Sequence, residues 1–275
     1  MRRLVVIVVA LGLAAAACSS DVNAQAVIAS NPGSIGVGEQ RVLIAVVDVE
    51  TRQSLASPDI GVTATLRDRI GTPLGEHQGE FIWIVPEVRG LYKFDMDIPG
   101  PGTSQVTLEA GDLGELGPVG LVTVEDPLRV EVGEPAPRSD SRTADDHDLE
   151  DITTDPDPDP SFYEMSVAEA VESGPSVIVF ATPAWCTTES CGPMLDQVKE
   201  LSGDFPNLNY VHVEIYENIN ATSSEDLVLV PAVVDWQLPS EPWVFVTDDE
   251  GVVTAAFEGA ASDSELASAF AAVSP

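Results

Sequence analysis

Hydrophobic and polar positions fall into four patterns along the chain. Residues 4–17 form one short, uninterrupted apolar run. From about Gly36 to Val132 apolar residues recur at every second position, within 41–47, 62–66, 80–84, 92–96, 104–108 and 121–124. Successive side chains of a strand point to opposite faces, so this alternation predicts half-buried strands. Pro58, Gly71, Pro73, Gly90 and the run Pro99-Gly100-Pro101-Gly102 punctuate the gaps. Short, evenly spaced strands without a helical period predict an all-β sandwich over residues 36–132. Residues 133–161 lose the alternation, and residues 162–275 regain order of another kind. Ser166-Val167-Ala168-Glu169 is a capping box that opens a helix, and Gly174-Pro175 stops it. Residues 176–181 are continuously apolar, which predicts a strand buried on both faces. A helix through 194–201 and a strand at 209–215 follow. Two further strands, 243–246 and 252–257, are joined by the turn Asp248-Asp249-Glu250-Gly251. A second capping box, Ser262-Asp263-Ser264-Glu265, opens a terminal helix to about Ala272. The order α-β-α-β-β-β-α predicts an α/β unit.

Charge narrows the function classes. The 275 residues carry 12 Lys and Arg against 46 Asp and Glu, a net charge of -34. Such a surface repels phosphate, which excludes nucleic acid as a partner. A hydrophobic fraction of 44% excludes a disordered chain. Three cysteines are too few for a disulfide-rich scaffold.

The start of the chain reads as an address. Met1-Arg2-Arg3 followed by the apolar run has the layout of a signal peptide over residues 1–17. The run is shorter than the roughly 20 residues that a membrane-spanning helix needs. Its end, Ala15-Ala16-Ala17-Cys18, resembles a bacterial lipobox, with Ala15 where leucine is usual. The resemblance implies cleavage before Cys18, lipid on Cys18 and a place on the extracytoplasmic face of a bacterial membrane. A secreted protein with a free Cys18 is the alternative. Residues 18–35, small and polar, read as a tether.

Residues 133–161 read as an acidic, Pro-rich spacer. Asp155-Pro156-Asp157-Pro158-Asp159-Pro160 places aspartates at every second position, as a calcium loop does. Pro160 stands where that loop needs glycine, and Ser166 where it needs glutamate, so no metal is expected. Within the sandwich, the stretch from Gly90 to Gly100 resembles the closing hairpin of immunoglobulin-like extracytoplasmic modules.

The chemistry sits in Ala184-Trp185-Cys186-Thr187-Thr188-Glu189-Ser190-Cys191-Gly192-Pro193. A Trp-Cys pair after a buried strand, with a second cysteine entering a helix, resembles thioredoxin. The order of elements from Ser161 to Pro275 agrees, and Pro242 stands where thioredoxin-like proteins keep a cis-proline. Domain order and lipid anchor together resemble the tethered extracytoplasmic thioredoxins of the TlpA/ResA kind. The resemblance implies thiol–disulfide exchange with extracytoplasmic client proteins. Cys186 would then be the nucleophile, Trp185 its neighbour, Cys191 the resolving thiol and Pro242 the residue aligning the client backbone.

Three departures from that family bear on mechanism. Four residues separate the cysteines instead of two. Positions five apart on a continuous helix lie roughly 8–9 Å apart, and a disulfide tolerates about 7 Å at most. Pairing therefore requires 187–190 to leave the helix; alternatively Pro193 kinks a helix that already contains Cys191. Second, the strand before the motif lacks the family's buried aspartate. His212 and Glu214, on one face of the next strand, are the nearest substitutes, Glu214 as the base for the resolving proton, unless both are solvated at the strand end. Third, Lys199 is the only Lys or Arg from Ser161 onward, and Glu189 lies inside the loop. With no cation to hold a thiolate, the thiol should be weakly acidic and the pair reducing.

Two other roles for the cysteines stay open, a structural disulfide and a metal site completed by His77, His147 or His212. No phosphate loop, dinucleotide fingerprint or Ser/His/Asp spacing is present, so no cofactor is expected. The leading expectation is a two-domain, lipid-anchored exchange protein. The alternative is a non-enzymatic envelope interaction protein with a structural disulfide.

Overall fold

The computed structural model describes residues 23–275. The predicted signal peptide and the Cys18 anchor lie outside the described residues. The described chain is mostly β, with three four-stranded sheets and few helices.

Two of those sheets form an antiparallel sandwich. Its strands are β1 (Ala24–Ile28), β2 (Gly38–Asp48), β3 (Val62–Arg67), β4 (Pro73–Gln78), β5 (Glu80–Val85), β6 (Arg89–Ile98), β7 (Gly102–Ala110) and β8 (Glu115–Thr123). The sheet orders are β1-β2-β6-β5 and β4-β3-β7-β8. Val42, Ile44, Tyr92, Phe94 and Met96 from one sheet meet Ala64, Leu66, Val106, Leu108 and Leu121 from the other. These are the alternating positions of the sequence, now facing one core.

The expected tether is corrected over its described part. Residues 24–28 form β1, an edge strand paired antiparallel with β2, Ala26 opposite Val46. Ala24, Ala26 and Ile28 alternate toward the core, and a short edge strand of small residues needs no strong β-formers. β4 was also hidden, because its exposed edge position tolerates Pro73 and polar side chains.

The third sheet is built on the apolar strand β9 (Ser176–Ala181). Its order is β10-β9-β11-β12, with β10 (Asn209–Glu214), β11 (Trp243–Thr247) and β12 (Val253–Glu258). β10 runs parallel to β9 and β11 antiparallel. The helices α3 (Cys191–Ser202) and α5 (Asp263–Val273) cover the face that carries Val177, Val179 and Ala181. α2 (Val167–Ser173) and α4 (Pro231–Asp235) cover the face of Ile178 and Phe180, around the fully buried Trp236. Burial on both faces is why β9 is apolar throughout. Both expected capping boxes form, Ser166 with Glu169 and Ser262 with Glu265.

Residues 133–161 are a packed strap where a spacer was expected. Its backbone joins the β12 side through Gly133 and Val253 and through Ala136 and Gly251. It continues through a single helical turn, α1 (Leu149–Ile152), to the β10 side. Ala136 and Ile152 sink into the two cores, and Asp155 is buried against Lys199 Nζ at 2.7 Å. A few well-placed apolar residues and one cation thus outweigh the self-repulsion that its composition suggested.

The two units dock directly. Leu43, Ile82 and Leu91 point away from the sandwich core and pack on Ala260. Arg41 grips the Glu265 carboxylate with two bonds, at 2.7 and 2.9 Å, and donates to the Ala260 carbonyl at 2.6 Å. Ser34 donates to Glu258 Oε2 at 2.6 Å.

Candidate functional site

β9 ends at Ala181, and the loop after it carries the motif to the first residue of α3, Cys191. Cys186 and Cys191 form a disulfide with their Cα atoms 6.0 Å apart. Residues 187–190 are non-helical, as pairing demands. The reading in which Pro193 kinks a helix containing Cys191 in its second turn does not hold. Pro193 is the third residue of α3, where its missing N–H would have had no intrahelical partner.

The two sulfurs differ. Cys191 is wholly buried, whereas Cys186 is half-buried and borders the exposed residues 187–189. Cys186 Sγ accepts from the backbone N–H of Cys191 at 3.2 Å. It also lies 3.2 Å from the Thr188 hydroxyl, which in turn bonds Ser190 Oγ at 2.7 Å. A disulfide sulfur carries no proton, so Thr188 donates to it. Both donors, one of them at the positive end of α3, stabilise a thiolate on Cys186. No acidic residue occupies the first turn of α3 to oppose them.

Trp185 is half-buried and donates its indole N–H to the Ile219 carbonyl at 3.1 Å, tying the loop to the segment after β10. Pro242 precedes β11, and Trp243 pairs with Phe180, so Pro242 sits at the end of the sheet where the motif loop leaves β9. The Glu241–Pro242 peptide is cis. Pro242 is buried, has no N–H, and its carbonyl accepts from Gly259 N at 2.9 Å.

Glu214 and His212 are not solvated. They are 5% and 3% exposed, beneath the strap. Glu214 Oε2 accepts from Thr154 N at 2.9 Å and from Thr154 Oγ1 at 2.6 Å. Thr154 Oγ1 accepts in turn from Ala184 N at 3.1 Å. Burial pushes the Glu214 carboxyl up from its ordinary range, against the Thr154 hydrogen bonds, which favour the ion. Glu214 Oε1 and Thr182 Oγ1 stay unpaired. The carboxylate makes no hydrogen bond to either sulfur, so its reach to the loop runs through Thr154. The cavity of ≈ 60 Å³ that Glu214 borders lies on the strap side, with Asp140 and Pro231, and contains neither cysteine.

His212 Nε2 lies 3.2 Å from the Ala181 carbonyl and Nδ1 2.7 Å from the Tyr163 hydroxyl. The carbonyl can only accept, so Nε2 carries the proton and Nδ1 accepts from Tyr163. Burial pulls the imidazole down to about 4. It is a neutral structural link between strap and sheet. Among the described residues no group of three or more His, Cys, Asp or Glu is arranged to hold a metal ion.

The expectation that no cation stands near the motif is overturned. Arg89, the first residue of β6 in the sandwich, donates Nη2 to the Thr188 carbonyl and places Nη1 3.2 Å from Glu189 Oε2. Arg89 and Thr188 are 99 residues apart, and no local signal links them.

No family model and no curated protein matches the chain. Among solved structures, it is similar to the crystal structure of the Lin-41 filamin domain, at 13% identity and a TM-score of 0.23. That similarity covers 37% of this chain and 93% of the other. Among the described residues no helix is long and apolar enough to cross a membrane.

Proposed function

We propose that the protein is a thiol–disulfide exchange protein of the bacterial envelope, anchored by lipid on Cys18. In this reading residues 162–275 form a thioredoxin-like unit, and the sandwich is an immunoglobulin-like module that carries it. The observation that supports it best is the asymmetry of the pair: an accessible Cys186 with two hydrogen-bond donors on its sulfur, and a buried Cys191 at the start of a helix. Strand order β10-β9-β11-β12, with helices on both faces and the dithiol at the C-terminal end of β9, also supports the thioredoxin-like reading.

In the reduced protein the Cys186 thiolate attacks one sulfur of a client disulfide. The client S–S bond breaks, a mixed disulfide forms and one client thiolate leaves. Cys191 loses its proton and attacks Cys186 Sγ. The mixed disulfide breaks, the second client thiolate leaves and takes up a proton, and the Cys186–Cys191 disulfide closes. Two electrons pass to the client, and an envelope dithiol donor restores the reduced pair. Glu214 acts through Thr154 by holding the loop at Ala184. Because Arg89 is paired with Glu189, the loop gains no net positive charge, and the proposed direction remains reducing.

Cys191→Ser should accumulate mixed disulfides with envelope proteins, and Cys186→Ser should form none. Reduction of a small aromatic disulfide should be lost in both. Absence of any mixed disulfide, with a potential far below about -300 mV, would instead make the pair a structural staple.

A further inference from the structure

The dithiol loop is completed by a residue from the other domain. Glu189 has a left-handed backbone, φ 59°, a strained conformation for a residue with a side chain. Arg89 binds both ends of that strained turn, the Thr188 carbonyl and the Glu189 carboxylate. The same Thr188 whose carbonyl Arg89 holds has its side-chain hydroxyl 3.2 Å from Cys186 Sγ. Arg89 itself is firmly placed. It opens β6 opposite Val85, and its neighbour Gly90 lies so close under Phe81 that an added Cβ would fall 2.3 Å from the ring. The hairpin is set against the loop by the docking of Leu43, Ile82 and Leu91 on Ala260 and by the Arg41–Glu265 pair.

We infer that Arg89 is a positioning residue for the Cys186 nucleophile, supplied by the sandwich: it holds the Thr188 hydroxyl on the sulfur and cancels the charge of Glu189 beside it. The inference rests on the exchange reading of the same site. It gives the sandwich a direct part in the chemistry, because without Arg89 the loop keeps Glu189 and loses the restraint on its strained turn. A thiolate accepts hydrogen bonds far more strongly than a disulfide sulfur, so both effects weigh most on the reduced form.

The test uses the full chain with Cys191→Ala, where Cys186 is the thiol of the motif, and with Cys18→Ser to remove the other thiol. The rate of Cys186 alkylation is followed against pH. Arg89→Gln should move the apparent pKa of Cys186 up by about half a unit to one unit, the size expected when an opposing charge is left uncancelled at a partly exposed site. Arg89→Gln with Glu189→Gln should bring it back toward the parent value, which a merely structural role would not do. Arg89→Lys, which keeps charge without the two-pronged grip, should fall between. Thermal unfolding of each variant identifies any that fails to fold, and Glu189→Gln alone, which keeps Arg89 in place, should lower the pKa. Profiles for Arg89→Gln and Glu189→Gln that superimpose on the parent would overturn the inference. A shift without mixed-disulfide capture would overturn the exchange reading and leave the Arg89 contact standing; capture without a shift would do the reverse.

Discussion

The sandwich and the C-terminal unit solve charge in opposite ways. The sandwich holds Arg41, Arg52, Arg67, Arg69, Arg89, Lys93 and Arg129; from Ser161 onward Lys199 stands alone. Three of those sandwich cations, Arg41, Arg89 and Lys93, reach across to Glu265 and Glu189. The unit that carries the dithiol therefore borrows its positive charge. The electrostatics of the site belong to the docked pair of domains, and the C-terminal segment read alone gives the wrong environment for its own cysteines.

Removing large core side chains tests whether the two units stand as separate cores. Phe94→Ala in the sandwich and Trp236→Ala in the C-terminal unit should each cost about 3–5 kcal/mol. Denaturant unfolding followed by Trp83 in the sandwich, against Trp185 and Trp243 in the other unit, should show each change moving its own unit first. Equal movement of both probes in both variants would mean that the units fold as one.

Acid should act on the C-terminal unit before the sandwich. His212 titrates at about 4 when folded and near 6.5 when unfolded, so the unfolded chain binds its proton first. Its stabilising share is complete above pH 6.5 and is lost as pH falls toward 4, about 3 kcal/mol in full. Glu214 has the opposite sign: its raised carboxyl favours the fold at low pH, and that share is lost as pH rises from 4.5 through its folded pKa. The melting temperature of the C-terminal unit should fall between pH 6.5 and 4. His212→Gln, which keeps a donor for the Ala181 carbonyl, should flatten or reverse that slope. An unchanged slope would remove His212 as its cause.

Arg41→Ala should have the smallest effect on stability, about 2 kcal/mol for a partly buried, two-pronged charged pair. Burial raises the Glu265 carboxyl, but the Arg41 bond and charge outweigh it and hold it below its ordinary range. The variant should separate the two unfolding transitions. Coincident transitions would place the coupling in Leu43, Ile82, Leu91 and Ala260 instead.

Much of the fold is legible in residue order. Alternation marks the central sandwich strands, the apolar run at 176–181 marks the strand buried on both faces, and two Ser-x-x-Glu boxes mark helix starts to the residue. β1 and the strap were not legible, because small or polar residues at an edge carry little periodic signal. The cysteine spacing required a loop at 187–190 only if the two cysteines pair, since a continuous helix would keep the sulfurs apart; that they pair was not legible. Glu214 was visible as a candidate, but its link through Thr154 depends on how the strap folds back over β10.

Period and spacing, which act over a few residues, thus carried most of the elements and the condition that pairing of Cys186 and Cys191 places on the loop between them. Docking decided the rest: which sulfur is open to solvent, what satisfies Glu214, and the arrival of Arg89 at Glu189. A hydrophobic pattern states that a face will be covered; it does not name the cover. The Arg89 bond to Thr188, between residues 99 positions apart, exists only once two separate cores have set their surfaces together.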